Sequence, residues 1–143
     1  MFRTLTGTMS VAPQISPDDI AAAAAQGVTM IINNRPDGEE PSAPQGDDIA
    51  AAAAAAGIGY AAIPVSHAGF SHAQIDAFDA AMAAAGGGPI LAYCRSGTRS
   101  THLWALARAR AGDDVDTVVR HALNAGYDLT GLRPMLDALA GGK

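Results

Sequence analysis

Residues 86–110 read GGGPILAYCRSGTRSTHLWALARAR. The glycines and Pro89 mark a turn, and Ile90 to Tyr93 make a fully apolar run, the pattern of a buried strand. After Cys94 the period changes, because Leu103, Leu106 and Ala107 fall on one helical face. A buried strand that hands over to a helix through a short polar loop is half of a βαβ unit.

Working towards the N-terminus, the same alternation recurs. Residues 2–12 alternate weakly around Gly7, as a small strand pair or edge ribbon does. In ISPDDIAAAAAQG, Ser16 is placed to cap, Pro17 suits the first helical position, Asp18 and Asp19 complement the dipole, and Gly27 closes the helix. VTMIIN, residues 28–33, reads as a buried strand. NRPDGEEPSAPQG is dense in Pro, Gly and acids and reads as a loop. Residues 47–56 contain seven consecutive alanines, whose high intrinsic propensity predicts a helix that Gly57 ends. YAAIPV is the next strand, and Ser71 to Gln74 have capping-box spacing for a helix to about Ala85. Beyond residue 110 two short helices follow. One is opened by Asp113 or Asp114 and ends near Gly126; the other is capped by Thr130 and ends near Leu139.

Strands alternating with helices predict a three-layer α/β/α fold around a central, mostly parallel sheet, with residues 1–143 as one catalytic domain. In such sheets ligands collect beyond the carboxyl ends of the strands, so the loops 34–46, 66–70 and 94–100 are expected to converge.

Composition narrows the chemistry. The 143 residues are 49 % hydrophobic and 16 % charged, and 9 Lys+Arg against 14 Asp+Glu give a net charge of -5, which disfavours a sequence-independent nucleic-acid grip. Eight of the nine cations are arginine, the residue suited to planar, bidentate recognition of oxyanions. A single cysteine makes no internal disulfide, and the N-terminal residues lack the order of a secretory signal, so a cytoplasmic setting is expected. The uncharged stretch 50–75 is broken by Gly57, Gly59, Pro64 and Gly69, so no membrane partner is expected. Histidine and cysteine spacing suggests no metal, and no Gly-x-Gly-x-x-Gly or Walker string suggests a diffusible cofactor.

Cys94 therefore carries the main question. It follows a strand and precedes a helix N-terminus, where unpaired amides and the dipole favour an anion and stabilise a thiolate. Gly97 permits the left-handed backbone that turns successive amides inward, Arg99 can fork onto a tetrahedral oxyanion, and Ser96 and Ser100 add hydroxyls. A buried structural cysteine is the alternative, and it predicts apolar neighbours on both sides. Here the residues after it, Arg95 to Arg99, are polar or glycine. Arg95 reads equally as a solvated charge or as part of an electropositive rim.

The run CRSGTRS after an apolar strand resembles the active-site loop of the cysteine-dependent protein tyrosine and dual-specificity phosphatases. With ISPDDIAAAAAQGVTMIINNRPDGEEP and IPVSHAGFSHAQIDAF it is similar to the small bacterial phosphatase-like domain also fused in beta-lactamase-hydrolase-like proteins. The resemblance spans residues 2–110. It implies a phosphatase-like fold, Cys94 as nucleophile, Arg99 as the phosphate-binding arginine, and the backbone of Arg95, Ser96, Gly97, Thr98 and Arg99 as the cradle. It implies a phosphorylated substrate, either a phosphopeptide or a small phosphomonoester. Two departures stand out. Only four residues separate Cys94 from Arg99 where the superfamily has five, and the usual acidic aspartate is replaced by SHAGFSH, leaving His67, with Asp37 as its rival. For Asp37 the alternative is a turn before Gly38; Arg35, ahead of Pro36, reads as polar surface or as support for the loop. The six-residue ring also resembles rhodanese loops, which carry a persulfide. A sulfurtransferase is thus the second expectation, and a phosphate-binding module with weak turnover the third.

Overall fold

The computed structural model describes residues 2–66 and 68–141. Strands β1 (Arg3–Thr6), β2 (Met9–Ala12), β3 (Met30–Asn33), β4 (Gly59–Ala62) and β5 (Ile90–Tyr93) form one sheet in the order β1-β2-β5-β3-β4. Only the β1–β2 ribbon is antiparallel. The parallel registers pair Ala12 and Asn33 with Tyr93, and Asn33 with Ala62. All four carboxyl ends are therefore level, and the loops that leave them meet at one edge.

Strand alternation divides the core into two apolar layers. Met30, Ile32, Ile90 and Ala92 face α3 (His72–Ala84), α4 (Thr98–Ala111), α5 (Val115–Asn124) and α6 (Arg133–Gly141). Ile31, Leu91 and Tyr93 face α1 (Pro17–Ala25) and α2 (Gly46–Ala55), which contribute Ile20, Ala23, Ile49 and Ala53. The fold is the three-layer α/β/α arrangement that the alternation predicts. Helix α4 lies between α3 and α6 and buries Leu103, Trp104, Leu106 and their intervening alanines. Each fully buried leucine of this kind contributes about 1.5–3 kcal/mol.

The caps follow the local sequence. Ser16 Oγ accepts the Asp19 amide while Asp19 Oδ2 accepts the Ser16 amide, and Ser71 with Gln74 repeats this box at α3. Asp114, through Oδ2, caps α5 by accepting the Thr117 amide.

Three boundaries differ from the sequence reading, each for a hydrogen-bonding reason. The third strand starts at Met30 because the Val28 amide still serves α1, donating to Ala23 O. The fourth ends at Ala62, two residues before Pro64, which has no amide to donate. Thr130 opens a 3-10 turn, Thr130–Leu132, rather than capping the last helix; its amide and hydroxyl both donate to Asp128 Oδ1. Among the described residues no helix is long and apolar enough to cross a membrane.

Candidate active site

At the level edge of the sheet, Cys94 keeps its amide on Ala12 O, one step past the last rung of β5. The side chain is 1 % exposed, so it is as buried as a structural cysteine. Its surroundings are polar all the same: the Gly97 amide donates to Sγ at 3.1 Å. Gly97 holds φ at +89°, a left-handed conformation suited to glycine, and a Cβ there would collide with Tyr127 Oη. Helix α4 begins at Thr98, so the amides of Thr98, Arg99 and Ser100 lie in its first turn, where no helix carbonyl reaches them. Ser96 Oγ turns to Thr98 Oγ1, and the buried Ser100 hydroxyl has no hydrogen-bond partner among the described residues.

Arg99 is held on one edge. Nη1 donates to Glu39 Oε2 and to Val65 O, both at 2.7 Å, and Nη2 donates to Glu39 Oε1 at 2.8 Å. A guanidinium has five N–H donors, so Nε–H and the second Nη2–H remain for another acceptor. Cys94 is near enough to reinforce the charge on Arg99, whose proton affinity is raised chiefly by its bond to Glu39. The loops 34–46 and 94–100 thus converge, joined through Val65 by the exit of β4. Farther along the chain, Phe70 sits 6.0 Å from the His102 ring. His67 lies outside the described residues.

Two site residues escape sequence reading. Glu39 receives Arg99 across sixty positions of chain and Arg35 Nε at 2.9 Å. The expectation that Arg35 is polar surface is corrected: only 10 % of its side chain is exposed, and Nη1 donates to Gln14 Oε1. The second is Asn34, which fastens three strand exits. Its amide donates to Tyr93 O, its carbonyl accepts from Val65, and Nδ2 donates to Ile63 O. NNRPDGEE signals a loop, and nothing local marks which of its residues reach across. Asp37, the rival acid, stands on the exposed rim with Oδ1 accepting the Gly46 amide at 2.8 Å, so it anchors the start of α2.

The Arg99 hydrogen bond, reinforced by Arg35, holds the Glu39 carboxyl at about 2, against an ordinary value of 4.5. A depressed value means that the Arg99–Glu39–Arg35 link contributes stability above the ordinary carboxylate range and loses it as pH falls towards 2. Carboxyl 13C NMR should therefore show Glu39 titrating near pH 2; a midpoint close to 4.5 would show that Arg99 is not held there.

A recess of about 150 Å³ beside Arg35 is walled by Asp37, Asp47 and Tyr60. A larger hollow of about 440 Å³ around Trp104 and Arg108 contains none of the expected site residues. Among the described residues no three His, Cys, Asp or Glu side chains assemble as metal ligands.

Residues 1–111 match the family model of the phosphatase-like domain of beta-lactamase hydrolase-like proteins. The chain belongs to this phosphatase-like family. It is 43 % identical over 104 residues to a beta-lactamase hydrolase-like protein of Agrobacterium fabrum, covering 73 % of this chain and 24 % of that protein. The chain thus spans about a quarter of the length of that curated relative. Among solved structures, a candidate phosphatase of Neisseria meningitidis superposes with a TM-score of 0.81 at 34 % identity, covering 96 % of each chain. Human DUSP28, at 19 % identity and a TM-score of 0.71 over 99 % of this chain and 94 % of its own, shares the fold. This chain therefore displays a dual-specificity-type fold, with Cys94 directly after its last strand and Arg99 in the first turn of the helix that follows.

Proposed function

We propose that this phosphatase-like chain hydrolyses phosphomonoesters through a covalent phosphocysteine. The Gly97 amide directed at Cys94 Sγ, with Arg99 clamped beside it, carries the reading. The substrate oxygens lie on the amides of the loop and on the free edge of Arg99, and the thiolate attacks phosphorus in line with the ester oxygen. The S–P bond forms as the P–O bond to the alcohol breaks, and the departing oxygen takes a proton. Phosphoryl transfer is loose and spreads charge over the equatorial oxygens, so clamping and charge stabilisation account for most of the acceleration. Water then cleaves S–P, releasing phosphate and restoring the thiolate.

His67 is assigned the proton because of its place after β4 in the sequence, and because Asp37 is committed to Gly46. Aryl and alkyl phosphates separate the two. A donor is needed most by the poor alkoxide leaving group, so the substitution, His67→Asn or Asp37→Asn, that costs more on the alkyl ester marks the acid.

Sulfur transfer is the second reading, favoured by the four-residue spacing of Cys94 and Arg99 and by the engagement of Asp37 elsewhere. Cys94 thiolate would take the outer sulfur of thiosulfate with release of sulfite, and cyanide would remove it as thiocyanate. No alkoxide leaves, so no proton donor is needed. Incubation with p-nitrophenyl phosphate, and in parallel with thiosulfate and cyanide, decides: phosphate release supports the hydrolase, and thiocyanate alone overturns it.

A further inference from the structure

We propose that Tyr127 is a positioning residue that latches the Ser96–Gly97 peptide so that its N–H faces Cys94; this rests on reading the Cys94 loop as an oxyanion site. Tyr127 lies beyond residues 1–111, the stretch that matches the family model. It sits in the connection between α5 and the 3-10 turn, and its ring is buried.

The phenol Oη donates to Ser96 O at 3.0 Å. Ser96 C=O and Gly97 N–H belong to one peptide unit, and in a trans unit they point in opposite directions. The far end of that unit is the amide that donates to Cys94 Sγ at 3.1 Å. Tyr127 and the sulfur thus hold the two ends of a single plane. Rotation of the plane would withdraw the N–H and aim a carbonyl oxygen at a thiolate or a bound oxyanion, placing two negative groups together.

Such rotation needs a restraint from outside the loop, because Gly97 at φ +89° has the freest backbone of any residue. Tyr127 is itself fixed from two directions. Its amide donates to Ala122 O at 2.9 Å, and the Arg3 guanidinium lies 5.5 Å from its ring centroid while Nη1 donates to Ala125 O at 2.8 Å. Burial, opposed by Arg3 and aided by the nearness of Cys94, raises the proton affinity of the phenol, so it stays a donor at neutral pH. A glycine at 97 is required twice over: by its φ, and because any Cβ would strike the same hydroxyl.

The test is Tyr127→Phe in the full chain, which keeps the ring and removes only the latch. Inorganic phosphate is the probe, titrated by NMR and calorimetry, with the Gly97 amide resonance followed in the same spectra. Loss of one hydrogen bond should weaken phosphate binding between about twofold and tenfold. The Gly97 resonance should move in the ligand-free variant, with the melting temperature little changed. Unchanged affinity overturns the proposal, and so does weakened affinity with an unmoved Gly97 amide. Should the variant fail to fold, hydrogen exchange in the unaltered protein serves instead: a slowly exchanging Gly97 amide supports the latch, and exchange at the rate of an open loop overturns it. An unaltered chain that binds phosphate yet releases none from an aryl ester removes the hydrolase reading and leaves the latch standing. One that binds neither phosphate nor thiosulfate removes both.

Discussion

Replacing Cys94 by serine lowers the turnover of an aryl phosphate by about a thousandfold or more, the scale on which enzymes lose rate when a covalent nucleophile is removed. The physical reason is nucleophilicity. Sulfur is intrinsically a far stronger nucleophile than a hydroxyl oxygen, and a serine in the same place has no adjacent base to activate it. The change is nearly isosteric, and the Gly97 amide can donate to oxygen as it does to sulfur. Phosphate affinity and melting temperature should therefore stay near those of the unaltered protein while kcat collapses. Steady-state rates, a phosphate titration and a thermal melt on the same preparation check all three. A variant that retains its rate would place the chemistry elsewhere.

Arg99→Lys should cost about 10²- to 10³-fold in kcat, the usual consequence of removing one group aimed at transition-state charge. Charge is conserved, so the loss isolates geometry. Arg99 uses one edge of its fork on Glu39 and Val65 O and keeps the other for the site. A lysine ammonium is a point charge on a flexible stem and presents no second, rigidly opposed edge. It would be drawn to the Glu39 carboxylate with nothing fixed towards phosphorus. Rate measurements at saturating substrate, set beside the KM, separate this from simple loss of binding. A kcat within a few-fold of the unaltered value would mean that Arg99 does not touch the reacting group.

How much of this was readable from the chain depended on distance along it. The boxes at Ser16 and Ser71, the ends of α1 and β5, and the meeting of loops 34–46 and 94–100 follow from patterns spanning a few residues or from the handedness of βαβ units. The placement of Cys94, Gly97 and Arg99 together where an apolar strand hands over to a helix was legible for the same reason. Glu39 was not. Its partner is sixty residues away, and in the string GEEP either glutamate could have turned inward. Arg35 looked like surface because its neighbours are loop residues, yet Glu39 and Gln14 close over it. Tyr127 was invisible for a related reason: a tyrosine after Gly126 carries no local sign that its hydroxyl meets the backbone of residue 96.

The two apolar layers are unequal. On one side of the sheet α3 to α6 supply leucines, phenylalanine and tryptophan; on the other, α1 and α2 supply only two isoleucines and small alanines. Cys94 is rooted in the heavier half through α4, while the Glu39 carboxylate that steadies Arg99 hangs from the segment leading into the lighter one. On the proposed mechanism, local opening of that lighter layer would slacken the guanidinium before the sulfur lost its seat, and turnover would stop while most of the architecture stood intact.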